Sequence, residues 1–414
     1  MNGKYTTDVE YDFKNVEISE NKVGYDDSII KTSLKSSKSG ELISKLVSSY
    51  NYVYMDENIL EVANELYKHV EISALGVINF NNRVEGIIVR EELFDLLGKP
   101  YGRDIYKNRN ISEVMKPTKC FFYESNIFII AEILKDELHE IDNAYYILVN
   151  KNHEFYGIFS TKRILIYLSD ITQKDLDLSQ RLQLSIVNEE DSLNGEHFET
   201  VSISKMAKGV GGDFYTIKKY EDNRWIIAVC DVSGKGISAS LLTSLLGGMF
   251  NIYDFNNGLK NFIKILNNYI FKTFKLEKFI TGILIDFNEK SGEFKLCDMG
   301  HSYLYICNDK KILKLKSKNN NYPIGITEDI EPVICKHRLL GGDTLFIYTD
   351  GIIDQTDLDD KVYSENRLEL LLKKCGHKSI KEVKDDILGD IEKFKKTQTQ
   401  QDDITFILLK YFEK

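Results

Sequence analysis

The C-terminal half of the chain contains a series of β-branched and aromatic runs that follow one another with few helical stretches between them. Six runs have strand character: D-F-Y-T-I-K-K-Y, R-W-I-I-A-V-C, I-T-G-I-L-I-D-F, E-F-K-L-C-D-M, T-L-F-I-Y and I-T-F-I-L-L-K-Y. Helical patterns occur at about 238 to 274, with a break, and at about 364 to 395. Because consecutive strands without intervening helices pair antiparallel, this order predicts antiparallel sheets with helical layers on their outer faces.

Length and composition narrow the function classes. At 414 residues the chain should form two or three domains. Lys and Arg number 54 against 64 Asp and Glu, and a net charge of −10 argues against nucleic-acid or anionic-lipid partners. The six cysteines include no C-x-x-C pair, which argues against a zinc or redox motif and favours a reduced compartment. Since no signal peptide or apolar run of membrane-spanning length is present, we expect a cytoplasmic protein without membrane contact.

A loose internal repeat occupies residues 50 to 170. Each copy begins with an N-I-[LF] segment and continues as helix, strand, tight turn, strand and helix. Gly86 and Gly157 fall at the same place in the second strand of each copy, about 70 residues apart. Two copies at a fixed spacing predict a paired module.

This repeat resembles a tandem of cystathionine β-synthase-type (CBS) domains, on its topology, its two glycines and the V-M-K-P joint between copies. The resemblance implies an α/β regulatory pair with a cleft for an adenine nucleotide or similar small-molecule effector. The family's Ser/Thr and Asp after the glycine are Val89 and Glu92 in the first copy, and Ser160 and Arg163 in the second. A ligand-free dimerisation or docking module is therefore the alternative.

The remaining segments give a four-part division of the chain. Residues 1–48 form a polar leader, either mobile or an edge element; residues 49–170 form the CBS-type module; residues 171–194 form a helical linker; residues 195–414 form the C-terminal domain. The segment from about 164 to 188, which overlaps the linker, carries an apolar stripe at helical spacing. It consists of Ile164, Leu168, Ile171, Leu178, Leu182 and Ile186. Such a helix either couples the two domains across a homodimer or packs on its own domain.

Aspartates terminate several of the predicted strands in the C-terminal half. Asp213 follows G-V-G-G, Asp231 opens D-V-S-G-K-G, Asp350 opens D-G after a strand, and Asp402 with Asp403 precedes the last strand. Each alone is explained by a turn, a helix cap or a solvated pair. If these strand ends lie together, the carboxylates would require cations, and hard oxygen ligands suit Mg²⁺ or Mn²⁺ better than zinc.

The ordered motifs G-G-D-F-Y, D-V-S-G-K-G, D-M-G-H, Y-P-I-G-I, Y-T-D-G-I and Q-D-D-I-T resemble the PPM-type metal-dependent Ser/Thr protein phosphatases, in the bacterial branch that acts in sporulation and stress sigma-factor control. The resemblance covers about residues 195 to 412. It implies a C-terminal α-β-β-α sandwich of two antiparallel sheets, so that the whole chain is α+β.

The resemblance also assigns site residues. The acidic ligands it implies for two Mn²⁺ or Mg²⁺ ions, and hence the catalytic residues, are Asp213, Asp231, Asp350 and Asp402. Val232 would add its backbone carbonyl, and Asp403 would assist from the neighbouring acidic position. Lys235 either attracts phosphate or is solvated, and solvation is the preferred interpretation. His301, in D-M-G-H, is interpreted as structural rather than as a general acid.

These observations predict a phosphoserine/phosphothreonine protein phosphatase that activates water with two metal ions and is regulated by the CBS-type module. The resemblance implies a phosphorylated protein substrate, for example an anti-sigma-factor antagonist. The alternative is a catalytically weak phosphatase-fold scaffold that binds partners in response to a ligand. A nucleotide hydrolase is disfavoured because the chain has no phosphate-binding loop motif.

Overall fold

The structure, a computed structural model, describes residues 29–32, 41–140, 143–308, 311–315, 321–373 and 378–413. The chain divides into two compact units, Met1–Ile171 and Thr172–Lys414. Most of the expected polar leader lies outside the described residues, so its mobility stays a prediction. Among the helices in the described ranges, none combines the length and apolar character needed to cross a bilayer.

The N-terminal unit contains two copies of one strand and helix arrangement. Its elements in chain order are β1 (Lys31–Thr32), β2 (Asn51–Tyr54), α1 (Ile59–Lys68), β3 (Ala74–Ile78), β4 (Val84–Val89), α2 (Arg90–Gly98), α3 (Gly102–Tyr106), β5 (Cys120–Phe122), α4 (Ile127–Ile133), α5 (Lys135–Leu138), β6 (Tyr145–Val149) and β7 (Phe155–Ser160). In each copy the first long strand pairs parallel with the second, and the second pairs antiparallel with the third. The predicted internal repeat therefore has a counterpart in the topology.

The residues shared by the two copies have matching structural roles. Asn58 and Asn126 cap α1 and α4, since each side chain accepts hydrogen bonds from backbone N–H groups of the first helical turn. A Cβ on Gly86 would lie 2.7 Å from the carbonyl oxygen of Lys116, and one on Gly157 would lie 2.9 Å from the side chain of Val47. Both glycines thus allow another segment to approach the third strand closely.

Helix α6 (Thr161–Leu184) includes the residues at which the two units divide. The helix ends at Leu184, whereas the expected helical linker extends ten residues further, to Asn194. Residues 190–194 of that expected linker form a strand, β8 (Glu190–Asn194), which pairs with the next strand of the C-terminal unit. The helical expectation for 190–194 is therefore wrong, because cross-strand pairing determines the conformation of this polar segment.

The C-terminal unit contains eleven strands and four α-helices within its described residues. They are β8, β9 (Phe198–Lys205), β10 (Asp213–Glu221), β11 (Arg224–Val232), α7 (Ile237–Ile252), α8 (Leu259–Phe274), β12 (Ile280–Asn288), β13 (Glu293–Met299), β14 (Leu304–Cys307), β15 (Ile312–Lys314), β16 (Cys335–Arg338), β17 (Thr344–Tyr348), α9 (Glu365–Leu372), α10 (Ile380–Lys395) and β18 (Ile404–Tyr411). All six strand runs and both helical regions expected from the sequence are present.

These strands form two antiparallel sheets. The five-stranded sheet has the order β10-β11-β12-β13-β16, and the six-stranded sheet has the order β15-β14-β17-β18-β9-β8. Alternate residues of β18 face opposite layers: Ile407 and Leu409 join the apolar cluster that includes α7 and α8, whereas Phe406 and Leu408 join the cluster that includes α9 and α10. A strand buried on both faces accounts for its continuous apolar run, and helices cover both sheets as expected.

Candidate functional site

The predicted acidic residues lie at neighbouring strand ends. Asp213 begins β10 and stands directly opposite Asp231 of β11 in the antiparallel register of the five-stranded sheet. In the six-stranded sheet, Asp350 follows the end of β17, and Asp402 and Asp403 precede its neighbour β18. The charges of the last three all act on Asp231. The structure therefore brings the five acidic residues together from two sheets.

Burial and mutual repulsion perturb these carboxyl groups. Burial, followed by the charges of Asp231 and Asp403, holds the pKa of Asp213 well above its usual range. Burial, followed by the charge of Asp350, raises the pKa of Asp231 to about 7. The pKa of Asp350 is also raised, first by burial and then by Asp402. Carboxylates gathered in this way retain protons unless a cation compensates their charge.

Asp403 is engaged with the backbone of the loop that precedes Asp213. Its two carboxylate oxygens accept hydrogen bonds from the N–H groups of Ala207, at 2.8 Å, and Gly212, at 2.7 Å. A Cβ on Gly211 would lie 2.5 Å from Asp403 Oδ2, so only glycine fits against this carboxylate. Asp403 thus anchors the 207–212 loop, a more specific role than the assisting one expected.

Val232 lies against the same loop. Its N–H donates to the carbonyl oxygen of Gly212 at 3.2 Å, and its own carbonyl oxygen lies 2.9 Å from the position that a Cβ would occupy on Gly212. The side chain is buried. The carbonyl of Val232 is therefore fixed beside the residue that precedes Asp213, consistent in location with the predicted backbone ligand.

Two buried polar side chains that the sequence reasoning did not identify hold the site. The hydroxyl of Thr349 donates to Oδ2 of Asp213 at 2.8 Å, across the two sheets. The Gln183 amide, near the end of α6, donates to the carbonyl of Gly211 at 2.7 Å and accepts from its N–H at 3.0 Å. Thr349 lies within the Y-T-D-G-I motif, whereas Gln183 lies outside every motif identified in the sequence.

Two further charged residues border the carboxylates. The ammonium group of Lys235 lies 2.7 Å from Oδ2 of Asp402 and 2.9 Å from the carbonyl oxygen of Gln401. The preferred interpretation of Lys235 as merely solvated is therefore wrong, although its side chain is half exposed. Asp354, one helical turn after Asp350, has its pKa raised by burial and by Asp402. Lys235 lies within the D-V-S-G-K-G motif, whereas Asp354 lies two residues beyond the Y-T-D-G-I motif.

The donor chemistry of the site fits hard divalent cations. Every acidic side chain named above offers oxygen ligands, and burial followed by mutual repulsion raises the pKa of Asp213, Asp231 and Asp350. Within the described ranges, no three His, Cys, Asp or Glu side chains already surround a common point as ligands. Mg²⁺ commonly uses one or two carboxylates and keeps several waters. A site with fewer than three preformed protein ligands around one point therefore accommodates ions that retain part of their hydration shell.

The C-terminal unit has relatives among known proteins. Residues 221–412 match the family model described as Stage II sporulation protein E (SpoIIE). Over these residues the C-terminal unit is similar to SpoIIE-type PP2C domains. The chain is 24% identical over 244 residues to the phosphoserine phosphatase RsbP of Bacillus subtilis (strain 168), covering 58% of each protein. It is 22% identical over 280 residues to the phosphoserine phosphatase RsbU of the same organism, covering 67% of this chain and 80% of RsbU.

A solved structure supports the same fold. The SiaA PP2C domain of Pseudomonas aeruginosa is 20% identical and superposes with a TM-score of 0.51, covering 59% of this chain and 99% of that domain. The present chain spans less than two thirds of RsbP, at 58% of its length. The family match includes β11 to β18, whereas β8, β9, nearly all of β10 and the N-terminal unit lie outside it.

Proposed function

We propose that the SpoIIE-type PP2C domain hydrolyses phosphoserine or phosphothreonine in a protein substrate. The observation that carries this proposal is the convergence of Asp213, Asp231, Asp350 and Asp402 from two sheets, with burial and mutual repulsion raising the pKa of three of them. Two relatives named as phosphoserine phosphatases support the same chemistry.

The carboxylates of these four aspartates would hold two Mn²⁺ or Mg²⁺ ions, together with the carbonyl of Val232. When bound, such ions supply a water of lowered pKa and neutralise charge on the phosphate oxygens. Thr349 orients Asp213, and Asp403 fixes the loop that presents it. Lys235 lies beside Asp402 with its side chain half exposed, so its ammonium group is accessible to an incoming phosphate.

The substrate class follows from the relatives and from the family resemblance. Both curated relatives are phosphoserine phosphatases, and the bacterial branch acts in sigma-factor control. We therefore propose a small phosphorylated protein of the anti-sigma-factor-antagonist type as substrate. A protein substrate also suits the open setting of Asp402 and Lys235, whose side chains keep 38% and 51% of their accessible surface.

The deciding experiment uses the full chain with Mn²⁺ or Mg²⁺, on p-nitrophenyl phosphate and on a phosphoserine protein. Asp231→Asn and Asp350→Asn should abolish hydrolysis, because each removes a carboxylate of the convergent set. Asp222→Asn is the matched control, since Asp222 is exposed in the hairpin at the opposite end of β10 and β11. Metal-loaded wild-type protein without activity on any phosphoprotein would exclude the enzyme.

A catalytically weak scaffold is the second candidate. It is the alternative that the sequence leaves open. Metal content and binding distinguish the two. An enzyme should bind Mn²⁺ or Mg²⁺ and turn over substrate, whereas a scaffold should bind partners with the Asp350→Asn variant as well as with wild type.

The N-terminal unit is proposed to be a CBS-type regulatory module that binds a small-molecule effector. A cavity of about 370 Å³ in this unit is lined by residues of both copies, including Ser49, Ser73, Ser160, Lys162 and Arg163. Two cationic side chains and several hydroxyl groups are suited to an anionic ligand. The only carboxylate among the described lining residues is that of Glu71.

The corresponding position in the first copy is a cavity of about 450 Å³ with a more acidic lining, which includes Glu92, Asp95 and Glu113 beside Lys99 and Lys116. Glu92 takes the place of Arg163 there, and its carboxylate lies 2.8 Å from the ammonium group of Lys116. The two copies are therefore unequal, and the second provides the more favourable anion site. This asymmetry supports an effector with one site per chain rather than a ligand-free docking module.

Coupling between the units is proposed to run through α6. The helix begins at Thr161, beside the cavity-lining Lys162 and Arg163, and ends just after Gln183, which holds Gly211. Leu178 and Leu182 of its apolar stripe are 50% and 59% exposed within this chain, which suits a homodimer contact. A monomeric mass of the full chain by light scattering would exclude the homodimer.

A further inference from the structure

The D-M-G-H segment connects the two sheets of the C-terminal unit. It joins the end of β13, in the five-stranded sheet, to the start of β14, in the six-stranded sheet. Gly300 and Ser302 on either side of His301 both have positive φ, +76° and +66°. A non-glycine residue such as Ser302 is strained at positive φ, and such strain persists where the surrounding structure requires it.

The His301 ring contacts one sheet with each nitrogen. Nε2 lies 2.8 Å from the carbonyl oxygen of Tyr348, at the end of β17, and Nδ1 lies 3.1 Å from the hydroxyl of Thr281, in β12. A carbonyl oxygen only accepts, so Nε2 carries the proton and donates it. Nδ1 then accepts from the hydroxyl of Thr281. The turn is also held by Asp298, whose carboxylate accepts from the N–H of His301 at 2.8 Å.

The two partners of His301 are neighbours of the proposed metal ligands. Thr281 stands directly opposite Asp231 in the register of β11 and β12. Tyr348 precedes Asp350 by two residues. One imidazole therefore links β12, the strand paired with the Asp231-bearing β11, to the end of β17, which leads to Asp350.

A direct catalytic role for His301 does not fit this arrangement. The side chain is 4% exposed, and both nitrogens have protein partners. Burial also lowers the pKa of the ring, which agrees with a neutral imidazole. A general acid must reach the leaving group, whereas both nitrogens of this buried ring are engaged by Thr281 and Tyr348.

We propose that His301 is a positioning residue, which sets the separation of the Asp231 and Asp350 carboxylates by joining Thr281 to the carbonyl of Tyr348. The inference rests on the proposed function for the identity of the metal ligands. Both sheets contact the His301 ring at the site. We therefore expect loss of the ring to affect metal binding more strongly than the fold.

The test measures Mn²⁺ binding to the full chain by calorimetry, together with thermal unfolding of the metal-free protein. Thr281→Val removes the hydroxyl donor at nearly constant volume and should weaken Mn²⁺ binding about tenfold. His301→Leu should weaken it further, while His301→Gln, which can both donate and accept, should recover most of the affinity. Thr200→Val is the matched control, since this buried hydroxyl donates to the carbonyl of Leu193, away from the site.

The outcomes are distinguishable from those of the proposed function. Unchanged Mn²⁺ affinity in folded Thr281→Val and His301→Leu proteins, or an equal loss in Thr200→Val, would overturn the positioning role. If His301→Leu fails to fold, the Thr281→Val result decides. Weakened binding in the Thr281→Val protein, with a wild type that binds Mn²⁺ but hydrolyses no phosphoprotein, would support the positioning role and reject the phosphatase.

Discussion

The hydroxyl of Thr349 donates a hydrogen bond of 2.8 Å to Oδ2 of Asp213. Thr349 follows β17 of the six-stranded sheet, and Asp213 begins β10 of the five-stranded sheet, so this contact ties the two sheets at the site. Both side chains are buried. A hydrogen bond to a carboxylate favours its charged form, and Thr349 thus opposes the burial that raises the pKa of Asp213.

Substitution Thr349→Val should therefore weaken metal binding in a pH-dependent way. Without the donor, the pKa of Asp213 rises further, and more of the site is protonated near neutral pH. We expect about a tenfold loss of Mn²⁺ affinity at pH 7, measured by calorimetry, and a smaller loss at pH 8.5. Thr349→Ser keeps the hydroxyl and is the control. An equal loss at both pH values would show that the hydroxyl does not act through the protonation of Asp213.

The metal-free protein should lose stability as the pH rises toward neutrality. An unfolded Asp ionises near pH ~3.9, whereas burial and neighbouring charges raise the pKa of Asp231 to about 7 in the folded state. Between these values the folded state binds more protons, so the free energy of unfolding falls by at most about 1.4 kcal/mol per pH unit for this group.

Urea unfolding in the presence of a chelator, from pH 5 to pH 8, measures this dependence. Asp231→Asn should flatten the profile, because its amide does not titrate, whereas Asp222→Asn should preserve it. Addition of Mn²⁺ at pH 8 should restore stability to wild type by binding the folded state. A wild-type profile that rises steadily from pH 5 to pH 7 would contradict the raised pKa of Asp231.

Loss of Gln183 should weaken metal binding from outside the carboxylate cluster. Its amide satisfies both the N–H and the carbonyl of Gly211 in a buried setting. Gln183→Met keeps a side chain of similar volume but leaves the N–H and the carbonyl of Gly211 without their hydrogen-bond partner. We expect this loss to lower the free energy of unfolding by about 1–3 kcal/mol. We also expect a several-fold loss of Mn²⁺ affinity, because the 207–212 loop presents Asp213.

The control for this change is Gln173→Met on the same helix. Gln173 is exposed and bonds only locally, to Asp177 at 2.7 Å. Its replacement should leave unfolding and metal affinity within error of wild type. A Gln183→Met protein with reduced stability but wild-type Mn²⁺ affinity would show that Gln183 supports the fold alone.

The elements predicted from the sequence are those marked by a hydrophobic pattern or by a motif. The strand runs ending at Asp231 and beginning after Asp403 were recognisable because strands buried on both faces are continuously apolar. The residues alone left open whether the strand-end carboxylates lie together, and the family resemblance of the ordered motifs assigned them to one site. The polar strand β8 was missed, since its conformation depends on pairing with β9 rather than on its own composition.

The polar contacts around the site could not be predicted from local pattern. Gln183 and Gly211 are separated by 28 residues, and Thr349 and Asp213 by 136. Neither glutamine nor threonine changes hydrophobic periodicity in a way that marks such a partner. Lys235 shows the same limitation, because its pairing with Asp402 arises only when distant strand ends meet.

The cavity of the N-terminal unit gives a prediction about ligand charge. Lys162 and Arg163 provide two cations, whereas Glu92, Asp95 and Glu113 line the cavity of the first copy. Full-length protein should therefore show a rise in the unfolding temperature with millimolar ATP or AMP, and none with adenosine, if phosphate is the recognised group. Arg163→Glu should abolish the shift, because it reverses the charge of the cavity wall. Arg103→Glu, on exposed α3 outside the cavity lining, is the matched control. A shift that persists in Arg163→Glu, or that adenosine produces equally well, would place the ligand elsewhere or assign recognition to the base.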